Sequence, residues 1–403
     1  MSDSAADPRL MAARAAPRRR MRLSWSDPLF RSVVWQVLIV GAVVGLGWYL
    51  VANTNRNLAA RRIATGFAFL NRTAGIPIGE SLIPYNPDVD TYGRALFIGV
   101  LNTLKVAVVG IVLATVLGTL IGIARLSKNW LLAKLAAIYV ETLRDLPLLL
   151  QLLFWYALLQ VLPGPRQSLR LGESVFLSNR GIKVPVLVWD PAFLWVILAF
   201  LAGAAATWLR SRRASRVQAA TGKRPRIWPE AVGLLVVLPL AVWAALGAPF
   251  NWERPVLRGF NFTGGLTLSP EYAALVLGLS VYTAAYIAEI VRAGIQAVPQ
   301  GQWEAAGALG LRHGVVLRKI VLPQALRVII PPITSEYLNL TKNSSLAVAI
   351  GFQDVVSIAS TTLNQTGQAI EGIAVIMAVY LTISLSISLF MNWYNAHIAL
   401  VER

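Results

Sequence analysis

The stretch PPITSEYLNLTKNSS places Glu336 and Lys342 six residues apart near the end of an apolar run, with Ser344 and Ser345 just beyond. A carboxylate and an ammonium at the rim of a low-dielectric segment can take the two ends of a zwitterion, and serine hydroxyls add neutral donors and acceptors. A charge within a bilayer costs about 2.5 to 3.5 kcal/mol on insertion scales, so it faces a cavity or a partner. Geometry sets a condition, because six residues of regular helix turn through about 600° and leave the two charges about 120° apart. Either the helix loosens near residues 339–345, with Pro331 and Pro332 kinking its approach, or the groups serve different ends. In the second case Lys342 snorkels to the interface and Glu336 pairs with a neighbouring subunit.

A second polar island, EAAGALGLRHGVVLRKIVLP at 304–323, lies between two apolar segments. Its chemistry is docking. A short alanine-rich helix closed by Gly310 can lie in another protein's groove while Glu304 pairs with that partner's cations. Leu322 and Pro323 then restart a helix, since proline is tolerated in the first turn. Elsewhere, Glu289 and Arg292 share a helical face and can pair, and Gln151 and Gln160 suit either interhelical contacts or a polar pathway. With no cysteine and only His313 and His397, thiolate and histidine-cluster metal sites are excluded, and no catalytic constellation emerges. The nearest approach to a phosphate loop, Thr221-Gly222-Lys223-Arg224, has Val217 where the first glycine belongs, so the chain cannot hydrolyse ATP alone.

The elements that hold these groups are membrane spans. Of 403 residues, 56% are hydrophobic and 14% charged, and the mean hydropathy is +0.60. A helix needs about 20 apolar residues to cross a bilayer. Eight segments qualify: 32–52, 95–124, 147–163, 192–209, 231–248, 270–293, 320–340 and 373–395. The first reads as an uncleaved anchor, too long for a signal-peptide core. The third continues a helical stretch from Leu131 that Pro147 should divide into an amphipathic portion and a span, leaving Arg144 and Asp145 near the interface. Gly41 with Gly45, and Gly118 with Gly122, offer faces for close helix approach.

The net charge of +18 is unevenly distributed. Seven arginines lie in residues 1–31, and seven cations with no acid lie in 209–226. That pattern reads as topology, with both segments and 294–319 cytosolic and 53–94 and 164–190 outside. No aromatic-basic interleaving accompanies it, which argues against nucleic acid as a partner and for the lipid bilayer.

Glu304-Ala305-Ala306, Gly310 and Ile320-Val321-Leu322-Pro323 match in full the EAA loop of the membrane subunits of ATP-binding-cassette importers. LNTLKVAVVG (101–110), ETLRDLPLLLQLLFWY (141–156), YTAAYIAEIVRAGIQAVPQGQWEAAGALG (282–310) and YLNLTKNSSLAVAIG (337–351) resemble the polar amino-acid uptake permeases. The extra amino-terminal helix and the insertion before the sixth segment resemble the larger, Q-type permease of general L-amino-acid and glutamate, glutamine, aspartate and asparagine importers. Arg144-Asp145-Leu146-Pro147 stands where the family pattern reads Arg-Gly-Thr-Pro, a departure at the two middle positions.

The resemblance implies an all-α polytopic membrane protein with a type I ABC importer permease core of five helices plus about three extra, about eight in total. The expected map is a basic cytosolic tail at 1–31, an extra helix at 32–52, a periplasmic connection at 53–94 and an ABC type-1 transmembrane domain at 95–395. Within that domain, an insertion at 164–269 carries a helix pair and the cytosolic basic loop 210–230. Residues 299–319 form the coupling helix, and 396–403 a cytosolic carboxy terminus. Glu304, Ala305, Ala306, Gly310, Leu322 and Pro323 would meet the ATPase; Glu336, Lys342, Ser344 and Ser345 would bind substrate.

The implied role is the permease subunit of an ATP-driven, binding-protein-dependent L-amino-acid importer in a bacterial inner membrane, amino terminus cytosolic. Its partners would be an ABC ATPase dimer holding ATP and magnesium, a second permease in a heterodimer, and a periplasmic amino-acid-binding protein. An ATP-independent amino-acid transporter or channel is the alternative, and it leaves the EAA loop without a role.

Overall fold

The computed structural model describes residue 25 and residues 27–60, 65–223 and 225–398. Most of the 1–31 tail, the end of the 396–403 terminus and the side chain of His397 lie outside the described residues.

The chain divides into two units, residues 1–67 with 366–371, and residues 68–365 with 372–403. Helix α1 (Pro28–Ala60) forms the first span. Its Val37, Leu46 and Trp48 face outward, as a helix solvated by lipid requires. Within this unit the Gly66 N–H donates to Glu371 Oε1 at 2.6 Å, and Gln368 Nε2 to the Gly66 carbonyl at 3.0 Å. Gly41 and Gly45 meet nothing within 4 Å among the described residues.

In the second unit the apolar runs fold as α2 (Tyr92–Arg125), α3 (Trp130–Asp145), α4 (Leu148–Gln160), α5 (Ala192–Thr221), α6 (Trp228–Ala245) and α7 (Pro270–Gln296). There follow α8 (Gln300–Ala308), α9 (His313–Val316), α10 (Leu322–Asn343), α11 (Val355–Thr366) and α12 (Ala369–Ile398), of which Thr366 and residues 369–371 count with the first unit. Among the described residues six helices are long and apolar enough to span a membrane. Two bent pairs, α3 with α4 and the α10 segment with α11, bring the total to about eight. All eight expected segments are present, and the helices overrun most of the expected boundaries.

Helix α7 is the hub, packed by α2, α4, α10 and α3. Its small residues make that possible: Ala284, Ala285 and Ala288 are fully buried. A Cβ on Gly118 would sit 2.7 Å from Ile287 Cβ, and one on Gly122 would sit 2.6 Å from the Ala288 carbonyl. The expected small-residue face is therefore the α2–α7 seam.

The insertion holds more than its helix pair α5 and α6. Its flanks form β1 (Leu169–Leu171), β2 (Val175–Ser178), β3 (Gly181–Val184), β4 (Val186–Leu187), β5 (Trp252–Glu253), β6 (Val256–Arg258), β7 (Asn261–Thr263) and β8 (Leu266–Leu268). One antiparallel sheet runs β1-β2-β3-β8, with Ile182 opposite Leu268. Gly181 permits its tight turn, at φ +103°, and its missing side chain lets Leu268 and Ser269 approach. Nearby, the Asn179 N–H donates to the Pro163 carbonyl at 3.1 Å. Burial pushes the Lys183 ammonium below its usual range, and Thr267 takes its hydrogen bond.

Within the 68–91 connection, one carboxylate bridges two helices. Glu80 Oε2 lies 2.7 Å from Lys105 Nζ of α2, and Glu80 Oε1 accepts from the Ser269 N–H at 2.6 Å. Ser269 also caps α7 by accepting from the Tyr272 N–H at 3.1 Å.

Candidate functional site

The polar island at 304–323 folds as a short helix held by few contacts. In α8, Glu304 and Ala305 are exposed while Ala306 is buried against the bundle. The helix closes on glycine: the Leu311 N–H donates to the Ala306 carbonyl at 3.2 Å and the Gly310 N–H to that of Gly307 at 2.9 Å. Gly310 stands at φ +66°, the left-handed position this cap demands. Leu309 is 77% exposed, an apolar side chain left uncovered by the described residues. Trp303 stacks on His313, ring centroids 5.8 Å apart, tying α8 to α9.

From α9 the backbone passes through a wide π turn, Leu317–Val321, directly into α10. Pro323 explains the widening, because it lacks the N–H that would bond Lys319 four residues back. Leu322 instead donates to the Leu317 carbonyl. At the same end of the bundle Glu289 is paired with Arg292, as expected, and also with Arg125 of α2.

A second polar group sits well inside the helices. The α3–α4 pair bends by 106° around Leu146 and Pro147. Buried Gln151 stabilises the break, its Nε2 donating to the carbonyls of Leu143 at 2.9 Å and Leu146 at 3.1 Å. The bend carries Arg144 to α7, its guanidinium 5.1 Å from the Tyr286 ring centre. Tyr286 and Tyr282 share a hydroxyl contact at 3.1 Å. Half-buried Glu336 of α10 feels the field of Arg144 and acts on Tyr282, with no hydrogen bond or ion pair to either among the described residues. Tyr282 lies about 18 Å along α7 at 1.5 Å per residue, near the middle of this 27-residue helix.

Comparison with known proteins decides what this arrangement belongs to. The family model for the binding-protein-dependent transport system inner membrane component matches residues 229–399. The putative amino-acid ABC transporter permease protein YhdX of Escherichia coli is 54% identical, over 94% of this chain and 97% of its own. The chain belongs to the amino-acid ABC transporter permeases.

Two further permeases align over nearly their full lengths. The general L-amino acid transport system permease protein AapQ of Rhizobium johnstonii is 51% identical, over 95% of this chain and 96% of its own. The glutamate/glutamine/aspartate/asparagine transport system permease protein BztB of Rhodobacter capsulatus is 42% identical, over 96% and 98%. An ABC permease is a transport subunit, generally non-catalytic, and this one is a multi-pass inner-membrane protein.

Within this permease the four expected substrate residues are not gathered together. Helix α10 stays regular through Asn343 and tightens only over Ser344–Ile350. Glu336 and Lys342 therefore keep their separate faces, and the exposed Lys342 side chain has no hydrogen bond or ion pair among the described residues. Ser344 and Ser345 return their hydroxyls to the carbonyls of Thr341 at 2.7 Å and Lys342 at 2.8 Å. Sequence reasoning missed the Arg144, Tyr286 and Tyr282 cluster between α3 and α7. The available signals were Arg144 before a helix-breaking proline and two tyrosines four residues apart.

Proposed function

We propose that this chain is the membrane-spanning permease subunit of an ATP-driven, binding-protein-dependent L-amino-acid importer. The observation that carries the reading is the outward face of α8: exposed Glu304, Ala305 and Leu309 beside buried Ala306. A surface of that chemistry fits a groove on a separate ABC ATPase. Gly310 ends the docking helix, while Leu322 and Pro323 join it to α10. ATP and magnesium reside on the ATPase dimer. A second, non-identical permease completes the pathway, and a periplasmic protein delivers the amino acid. Closure of the ATPase dimer swings the two permeases from inward-facing to outward-facing. The amino terminus and residues 210–230 and 299–319 lie in the cytosol; residues 53–94 lie outside.

Cargo binds at the mid-bilayer cluster. Glu336 receives the ammonium, Arg144 the carboxylate, and Tyr282 and Tyr286 supply hydroxyls. Lys342, Ser344 and Ser345 stand toward the outer end, where Lys342 attracts the carboxylate on entry.

The test is copurification of the tagged permease from its native membrane, followed by uptake of labelled amino acids into vesicles. Recovery of an ABC ATPase and strictly ATP-dependent uptake are expected. An ATP-independent transporter would come without an ATPase and would still move cargo down its gradient, and either result defeats the reading.

A further inference from the structure

One large groove lies behind the docking helix. It encloses about 1120 Å³ between the α2–α3 connection, the end of α7, α8 and the π turn. Apolar side chains floor it, including Ile123, Leu132, Val298, Leu317 and Val321. Its rim carries Lys128 and Arg318, with His313 beside them and no acid among the lining residues. Neither Lys128 nor Arg318 makes a side-chain hydrogen bond or ion pair among the described residues. Drug-sized sites run from about 300 to 1,000 Å³ with a few convergent polar groups, so this groove is large and greasy for a compact polar metabolite.

Its position narrows the occupant. Ile123 is near the last residue of α2, Gln296 is the last of α7, and Leu322 the first of α10, so the groove opens where spans end. Trp130, 74% exposed, flanks it at the start of α3, the kind of anchor found at head-group depth. Apolar floor, cationic rim and interfacial depth complement a phosphate head group attached to acyl chains.

We infer that this groove holds an anionic phospholipid, with its phosphate on Lys128 and Arg318 and its acyl chains against Ile123 and Leu132. Gln300 and Trp303 of α8 form one wall. The lipid therefore braces the docking helix against the α2–α3 connection. Placing it in the cytosolic leaflet rests on the proposed orientation; the binding itself does not.

The test uses the whole transporter, permeases and ATPase together. Native mass spectrometry of the complex from phosphatidylcholine discs spiked with phosphatidylglycerol or cardiolipin should show retained anionic lipid. The K128Q/R318Q pair should reduce retention at least fivefold. Anionic lipid should raise coupled uptake severalfold in the parent and leave K128Q at its level in pure phosphatidylcholine. Retention unchanged in the double variant overturns the inference, as does displacement of the lipid by millimolar inorganic phosphate alone. Because this chain has no native cysteine, Leu132→Cys, labelled with a thiol-linked photocrosslinker before assembly with the other subunits, is its single crosslinking site. Crosslinks to lipid are expected, whereas crosslinks solely to the ATPase would make the groove a protein contact. Loss of the ATPase from the preparation would instead strike the transport reading, so the two failures are distinguishable.

Discussion

Gln151 donates to the carbonyl of Leu146 at 3.1 Å, satisfying across a helix break an acceptor that Pro147 and the bend leave without a helical partner. Replacing Gln151 by Leu keeps the volume and strands the Leu143 and Leu146 carbonyls. Each buried orphan costs about 1–3 kcal/mol. Q151L should lower the thermal midpoint of the purified permease and weaken uptake by displacing Arg144. An unchanged midpoint with normal uptake would show that the bend holds itself.

Arg144 and Glu336 should behave as a coupled pair. E336Q and R144Q should each lower uptake tenfold or more, and the double variant should lose less than the product of the two. K342M should have the smaller effect, confined to the substrate concentration for half-maximal uptake. A strictly multiplicative double variant, measured with labelled amino acids in vesicles, would place the two residues in separate roles.

On α8, E304K reverses the charge of an exposed side chain and leaves the helix able to form. Membrane insertion should be normal while ATPase recovery and uptake fall at least tenfold. G310A acts differently: a side chain in the left-handed position costs about 1–2 kcal/mol. It should fray the end of α8 and weaken ATPase recovery several-fold. Normal ATP-dependent uptake in E304K would remove Glu304 from the coupling surface.

The α2–α7 seam admits no added bulk at Gly118, whose Cβ would meet Ile287 and the Ala284 carbonyl inside 3 Å. G118V should destabilise the permease by about 1–3 kcal/mol or more through overpacking. Gly41, which meets nothing within 4 Å among the described residues, should accept alanine without effect. Detergent-melting curves of the two variants provide the comparison.

Spans and the short helix α8 were legible because each is written locally, as an apolar length or as Glu304, Gly310 and Pro323 at fixed spacing. The inserted sheet was harder to read. Its strands are two to four residues long, and Lys183 pairs with Thr267 across two intervening helices. The Asn179-Arg180-Gly181 turn between β-branched runs was the available cue. Glu336 and Lys342 drew attention by adjacency along the chain, yet a regular helix keeps them on separate faces. Arg144 instead reaches Tyr286 of α7, carried there by a 106° bend whose size no local pattern states.

The Pro163–Asn179 hydrogen bond and the approach of Gly181 to Ser269 place the entry and exit of the insertion beside a single β-hairpin. A segment whose ends nearly meet behaves as a cassette. Doubling the length of such a loop costs only about 0.6 kcal/mol in closure entropy, so α5, α6 and their strands can be lengthened, shortened or exchanged between homologues without re-spacing α4 and α7. Evolution can thus enlarge this subunit at one seam while leaving its moving parts in register.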